Sequence, residues 1–370
     1  MKTRLLAVAA VAALALAACG EAPDENADAG ASASGGAAAA DFLGCMVTDQ
    51  GGIDDRSFNA SAWKGLQNAA ANTGIEVKYV TSKSESDYTP NVNSLVAEDC
   101  GNIVTVGFSL GDATATAAKA NPDERFAIVD ENPDGDPDTD GPQPIDNVQP
   151  LLFNTAEAAY LAGYLSAGMT ETGTVGTFGG IKLPTVAVFM DGMADGIAKY
   201  NEDNGTDVKL LGWDKEKQDG LFAGKFDSPT DGKNLANNLI QSGADIIMPV
   251  AGGTGLGAAQ AAQESGGKVA IVWVDTDGYE SASQYKEVFL TTVQKGIATA
   301  VETATVETVN GKYTNTPFVG TLANAGVSLA PYHDYVSKVP AELTAEVEAL
   351  KGQIISGTIV VESANSPKVS

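Results

Sequence analysis

The chain of 370 residues holds one histidine, His333, and three cysteines. A lone histidine leaves few ligands for a zinc centre, and the cysteine spacing fits none. His333 falls late, between Pro331 and Asp334, a setting that reads as loop rather than catalytic base. Basic residues are also scarce: 22 Lys and Arg stand against 48 Asp and Glu, a net charge of −26. That excludes the basic footprint a nucleic-acid binder needs; the acidity serves solubility. There is no Gly-x-Ser-x-Gly elbow and no phosphate loop ending in Gly-Lys-Ser/Thr. Gly253-Thr254-Gly255-Leu256-Gly257 misses the dinucleotide spacing. Aromatics make up only 6%, so each ring near a loop is a candidate contact. Beyond residue 18 no stretch is long and apolar enough to span a bilayer.

What is present begins with an address. Met1-Lys2-Thr3-Arg4 is positive, and Leu5–Ala18 is an apolar run too short for a good membrane span. The run ends in Leu16-Ala17-Ala18-Cys19-Gly20, which resembles the bacterial lipobox. That resemblance implies a signal peptide over 1–18, cleavage before Cys19 and lipid on the Cys19 thiol. A plain secretory signal or a signal anchor is the alternative. Residues 19–41 are acidic and alanine-rich, the composition of a flexible tether. Export would permit a disulfide between Cys45 and Cys100, early in one strand and just before another. Two buried free thiols are equally open.

From residue 42 the pattern alternates strand and helix, which predicts parallel sheets with helices on both faces. The alternation is interrupted at 131–147, where Pro, Gly and Asp dominate. Asp136, Asp138, Asp140 and Gly141 mimic a calcium loop, but its twelfth position is Asn147, so the segment reads as a solvated acidic loop. The strands are too many for one core. The fold class is therefore α/β, with two doubly wound lobes and a ligand between them.

In such sheets ligands meet the carboxyl ends of strands. Those ends carry Asp49, Gly107-Phe108-Ser109, Asp130, Gly179-Gly180, Gly252-Gly253 and Asp275. Strand-end carboxylates accept hydrogen bonds from a hydroxyl-rich or base-edge ligand, although an Asp there can simply cap the next helix. The densest stretch is 49–63, DQGGIDDRSFNASAW, with two glycines, three carboxylates, two aromatics and an asparagine at a strand-to-helix corner. Within it Asp54 and Asp55 read as turn and helix-start residues rather than ligands.

The blocks DQGGIDDRSFNASAWKGL, AAYLAGYLSAGMT, GTFGGIKLPTVAVFMDGMADGI, GKFDSPTDGKNLANNLIQSGADIIMPVAGGTGLGAAQAA and WVDTDG followed by LTTVQKG occur in that order. They resemble the basic membrane protein family of substrate-binding lipoproteins, which includes purine nucleoside receptors of ABC importers. The resemblance covers nearly all of 42–361. It implies a type I periplasmic-binding-protein fold, with a first lobe of 42–152 plus 282–325, a second of 153–281 plus 326–362, and a tail at 363–370. It implies a site of Asp49 on the purine edge, Phe58 and Phe226 stacking on the base, and Asp130 and Asp275 holding the ligand, Asp275 through ribose hydroxyls. Lys295 falls at the cleft, Gly253 gives close backbone approach, and Asn59 and Phe189 complete the set. Trp273 stands where the family often has Gly, and is expected near the site. Met193 replaces a family aromatic, while Phe189 is retained.

The resemblance further implies a monomeric, extracytoplasmic carrier anchored through Cys19. Its ligand would be guanosine, inosine or adenosine and its partners ABC permease subunits, with no cofactor, metal or nucleic acid. Two other readings stay open: a binder or sensor of another polar ligand such as a sugar, and a surface nucleoside or glycan hydrolase using paired carboxylates.

Overall fold

A computed structural model of the chain describes residues 41–136 and 143–368. The signal segment, Cys19, most of the tether, and Asp138, Asp140 and Gly141 lie outside the described residues. The first lobe starts with β1 (Leu43–Thr48), α1 (Phe58–Thr73), β2 (Glu76–Thr81), α2 (Tyr88–Ala97), β3 (Asn102–Val106), α3 (Gly111–Ala120), β4 (Phe126–Val129) and β5 (Val148–Phe153). The chain then enters α4 (Thr155–Met169), β6 (Thr174–Gly179), α5 (Pro184–Asn204), β7 (Lys209–Leu211), β8 (Trp213–Asp214), β9 (Asp219–Gly220) and α6 (Pro229–Gln241). It continues through β10 (Ile246–Val250), α7 (Gly255–Glu264), β11 (Ala270–Asp275), α8 (Gly278–Ser281) and β12 (Phe289–Lys295). Last come α9 (Ile297–Val309), β13 (Phe318–Gly320), β14 (Val327–Leu329) and α10 (Ala341–Ile355).

Two six-stranded sheets result, ordered β2-β1-β3-β4-β5-β13 and β7-β6-β10-β11-β12-β14. Their first five strands follow the same winding, all parallel, and the sheets differ only at the last edge. There β13 joins β5 parallel and β14 joins β12 antiparallel. Both sheets lie in one compact unit. Strands β3, β4, β5, β10 and β11 are buried along their whole length, the signature of parallel strands covered on both faces. Helix α4 is buried nearly all round, as expected for a helix without a polar face. It packs on α5 at very short range, because a Cβ at Gly192 or Gly196 would meet the carbonyl oxygen of Ala156 or Tyr160 at 2.4 or 2.0 Å.

The lobe boundary expected from the sequence is corrected. Residues 289–295, placed with the first lobe, form β12 of the second sheet, paired along β11. The crossover therefore falls at Gly296 rather than near 282, and α9 beyond it packs on α1 of the first lobe. Helix α2 starts at Tyr88, after a turn that a capping box between Ser84 and Asp87 nucleates. Past α10 the N–H groups of Thr358 and Ile359 both donate to the Gln353 carbonyl. The loop read from the sequence as solvated and acidic ends in a structural residue. Asn147 Nδ2 donates to the carbonyls of Ala118, Asn121 and Glu124 at 2.9–3.1 Å, closing the turn after α3.

Cys45 and Cys100 form a disulfide, their Cα atoms 6.0 Å apart on the neighbouring β1 and the approach to β3. The link closes a loop with a sequence separation of 55. Replacing both cysteines by alanine should lower unfolding free energy by about 2–5 kcal/mol, read as a reduced urea midpoint with a steeper slope, because the unlinked chain unfolds to a more expanded state.

Candidate functional site

The carboxyl ends of the two sheets face each other across a narrow cavity of about 50 Å³, the place where ligands meet open α/β sheets. Eight of the nine expected ligand residues stand on its wall: Asp49, Phe58, Asn59, Asp130, Phe189, Phe226, Asp275 and Lys295. Gly253 does not; Gly252 takes the place, with φ +51, while Gly253 sits behind the carbonyl of Phe226. Trp273 is also absent from the wall. Trp273 turns away from the cavity, fully buried against Phe289 under α7, while Val274 and the left-handed Asp275 that ends the strand line it. Met193 is likewise core, beneath Gly163.

The corner after β1 is built around its acids. Asp49 accepts from the Gly51 N–H at 2.9 Å and from Asn59 Nδ2 at 2.7 Å. Gly107 must be glycine: its φ is +119, and a Cβ would lie 3.0 Å from Asp49 Oδ2. Asp55 accepts the N–H groups of Ser57, Asn59 and Ala60 at 2.7–3.0 Å, so it closes the start of α1 as the sequence implied. It also lines the cavity, which the sequence reading did not assign to it. Asn59 Nδ2 bridges Asp49 and Asp55, and its Oδ1 is buried without a hydrogen-bond partner.

Asp130 and Asp275 end β4 and β11, the fourth strands of their sheets counted from the β2 and β7 edges. Both adopt left-handed backbone, φ 66° and 68°, unusual for a residue with a side chain and a mark of functional corners. Between them stands Lys295, at the end of β12. Its ammonium pairs with Asp130 Oδ2 and lies 3.9 Å from Asp275 Oδ1, and all three side chains are buried. Phe58 and Phe189 flank the same ammonium at 5.2 and 5.1 Å from their ring centroids. Ser57 Oγ donates to Asp275 Oδ2 at 2.5 Å and shares a longer contact with the Val274 carbonyl at 3.2 Å. Two polar contacts, Asp130–Lys295 and Ser57–Asp275, thus tie one lobe to the other.

Burial pushes every one of these acids above the usual carboxylate range. Asp55 and Asp275 rise to about 6; Lys295 and the Ser57 hydroxyl pull Asp275 the other way without cancelling the burial. Asp49 and Asp130 move in the same direction for the same cause. Phe108 is a wall residue that the sequence placed at a strand end without assigning it to the ligand. It comes forward because β3 stops at Gly107 and a turn of 3₁₀ helix follows. The rings of Phe58 and Phe108 come from the first lobe, those of Phe189 and Phe226 from the second. Phe226 is seated against Gly180, where a Cβ would lie 2.3 Å from the ring.

Residues 42–365 match the family described as ABC transporter substrate-binding protein PnrA-like, Bmp. The chain belongs to the Bmp family. Among relatives, this Bmp protein is 31% identical to the ABC transporter nucleoside-binding protein BmpA of Lactococcus lactis, over 98% of this chain and all of that one. It is 30% identical to basic membrane protein A of Borreliella burgdorferi, covering 85% and 86%. Among solved structures, a solute-binding protein of an Aeropyrum pernix ABC transporter superposes with a TM-score of 0.76 at 24% identity, covering 87% of this chain and 94% of that one. The fold is thus the type I solute-binding architecture, and the protein is the substrate-binding component of an ABC transporter. No helix among the described residues is long and apolar enough to cross a membrane.

Removing one partner of the buried pair should be costly. Lys295→Met leaves Asp130 buried and unpaired and is expected to lower stability by about 3–5 kcal/mol. The double change Lys295→Met with Asp130→Leu should recover most of that loss in urea unfolding.

Proposed function

We propose that this Bmp-family protein captures a purine nucleoside between its lobes and hands it to ABC permease subunits, held at the extracytoplasmic face of the cell membrane by lipid on Cys19. The observation that carries the reading is the pairing of phenyl rings from both lobes with buried carboxylates at matched strand ends. A flat base between Phe58 and Phe226 gains stacking of roughly 1–3 kcal/mol per ring. Asp49 and the free Oδ1 of Asn59 offer acceptors to a base edge, Asp275 accepts from ribose hydroxyls, and Asp130, paired with Lys295, stands beside them. The name of the lactococcal relative supports the same ligand class.

Calorimetry against guanosine, inosine, adenosine, cytidine and ribose tests the proposal. A purine nucleoside should bind at least about 100-fold tighter than ribose, because stacking and base-edge bonds are lost together. Phe58→Ala and Asp275→Ala should each weaken binding by about 1–3 kcal/mol; affinity unchanged in both would remove the site. Steady hydrolysis of the nucleoside by purified protein would favour an enzyme instead.

The pH dependence carries a definite sign. A ribose hydroxyl donates to the ionised form of Asp275, whose carboxyl titrates at about 6 in the folded protein. Affinity should therefore be full above that value and fall by up to about tenfold per unit below it. Without ligand the trend reverses. The raised folded value favours the protonated native state, so stability declines as pH rises from about 4 through about 6. Titration calorimetry at pH 5 to 8 beside thermal melts of the free protein reads both slopes.

A further inference from the structure

Past Phe108, Asp130 and Thr185, which also wall the ligand cavity, lies a second, solvent-open space of about 330 Å³. One side of it is Glu131 and Asn132, directly after β4. The other is Pro184 at the start of α5. The outer wall is the segment Ala364–Lys368, which belongs to no helix or strand.

That segment is held by a dedicated polar node. Asp191, on α5, is fully buried. It accepts from Trp213 Nε1 and Gln218 Nε2 at 2.9 Å on one oxygen, and from Ser363 Oγ at 2.6 Å and Asn365 Nδ2 at 2.9 Å on the other. Asn365 Nδ2 also donates to Gln218 Oε1 at 2.6 Å. Further along, Ser366 Oγ reaches Asn154 Oδ1 at the lobe crossover at 3.1 Å, and Asn132 Nδ2 of the first lobe donates to the Lys368 carbonyl at 3.2 Å. A carboxylate with no cation beside it is buried only when its hydrogen bonds are filled. Here two of those four bonds come from the segment, so the wall is part of the folded structure.

The chamber has an electrostatic character. Among the described residues, Glu131 accepts only the N–H of Asn132, at 2.9 Å. Burial first, then the neighbouring charges of Asp130 and Asp112, push its carboxyl up to about 7. The nearest cation on the cavity side, Lys295, is committed to Asp130. The exposed Lys368 also lines the space, but the charges neighbouring Glu131 are those of Asp130 and Asp112, so an anionic group brought against Glu131 meets carboxylates, whereas a neutral chain or an ammonium meets acceptors.

We infer that this space is a subsite for a substituent carried by the bound nucleoside, that it takes neutral or cationic groups, and that Glu131 is the residue selecting against anions. The inference rests on the nucleoside reading and deepens it. The ligand class is a purine nucleoside extended by a short chain, and the segment 363–368 completes its pocket.

The test is calorimetry on the full chain at pH 8, where Glu131 is ionised. The probes are a purine nucleoside and analogues bearing a short thioether chain on the 5′ carbon or on the exocyclic nitrogen of the base. Each chain ends in methyl, ammonium or carboxylate. At one attachment point the methyl and ammonium forms should bind within about fivefold of the parent, and the carboxylate form at least about 20-fold weaker than the ammonium form. Glu131→Gln should cut that discrimination to below about threefold while leaving the parent nucleoside unaffected. Ser363→Ala with Asn365→Ala, which frees the wall, should weaken the extended analogues about tenfold and the parent hardly at all. Loss of about 100-fold or more for every extended analogue at both positions overturns the subsite, as does discrimination that survives Glu131→Gln. Wild-type protein that gives no heat with any unmodified nucleoside overturns the nucleoside reading, and the subsite with it.

Discussion

A lysine buried at the meeting of the two lobes governs this molecule. Lys295 ends a strand of the second sheet, and its partner Asp130 ends a strand of the first. An ammonium cannot leave water without a compensating charge. The lobes must therefore stand close for Lys295 to remain buried, and the same approach brings Ser57 onto Asp275. Opening the cleft would return all four groups to water, where each is well solvated. The gain from closing is the difference between two large opposing quantities, and a difference of that kind is easily tipped by a ligand. A binding protein that must both capture and release needs such a balance.

The matched sheets supply the geometry for it. Asp130 and Asp275 occupy equivalent strand ends and share the same left-handed backbone, 66° and 68°. A residue forced into that region keeps its side chain aimed where the surrounding structure dictates. In each lobe the neighbouring strand then completes the setting: β5 runs on into the crossover at Asn154, and β12 delivers Lys295. The pair of acids and the lysine between them is thus a consequence of repeating one sheet topology twice and facing the copies together.

Much of this was legible in the sequence because strands in doubly covered parallel sheets are short, apolar and end in polar corners. Asp49, Asp130 and Asp275 could be read as a set, and so could Phe58 beside them. The misreadings have physical causes. Trp273 and Asp275 differ by two positions and would share a face in a regular strand, but the chain turns left-handed at Asp275 and separates them. Gly252 and Gly253 are indistinguishable as letters; only the positive φ of Gly252 chooses between them. Residues 289–295 fit either lobe by pattern, and pairing with β11 decided the matter. The anchoring of residues 363–368 was invisible, since hydrogen bonds to Asp191 from Ser363 and Asn365 span more than 170 positions and follow no period.

The charge balance of the cavity constrains what can fill it. Four carboxylates, Asp49, Asp55, Asp130 and Asp275, face one lysine. Asp55 is satisfied by the start of α1, and Asp130 by Lys295. Asp49 and Asp275 each hold internal donors but retain lone pairs, and Asn59 presents an unfilled acceptor. A buried ligand that brought further negative charge would add repulsion to acids already held above their usual range by burial. A ligand that brought only acceptors would leave these oxygens unsatisfied, at a cost of about 1–3 kcal/mol each. The complement that satisfies them is neutral, rich in hydroxyl and N–H donors at its edges, and flat enough to lie between phenyl rings.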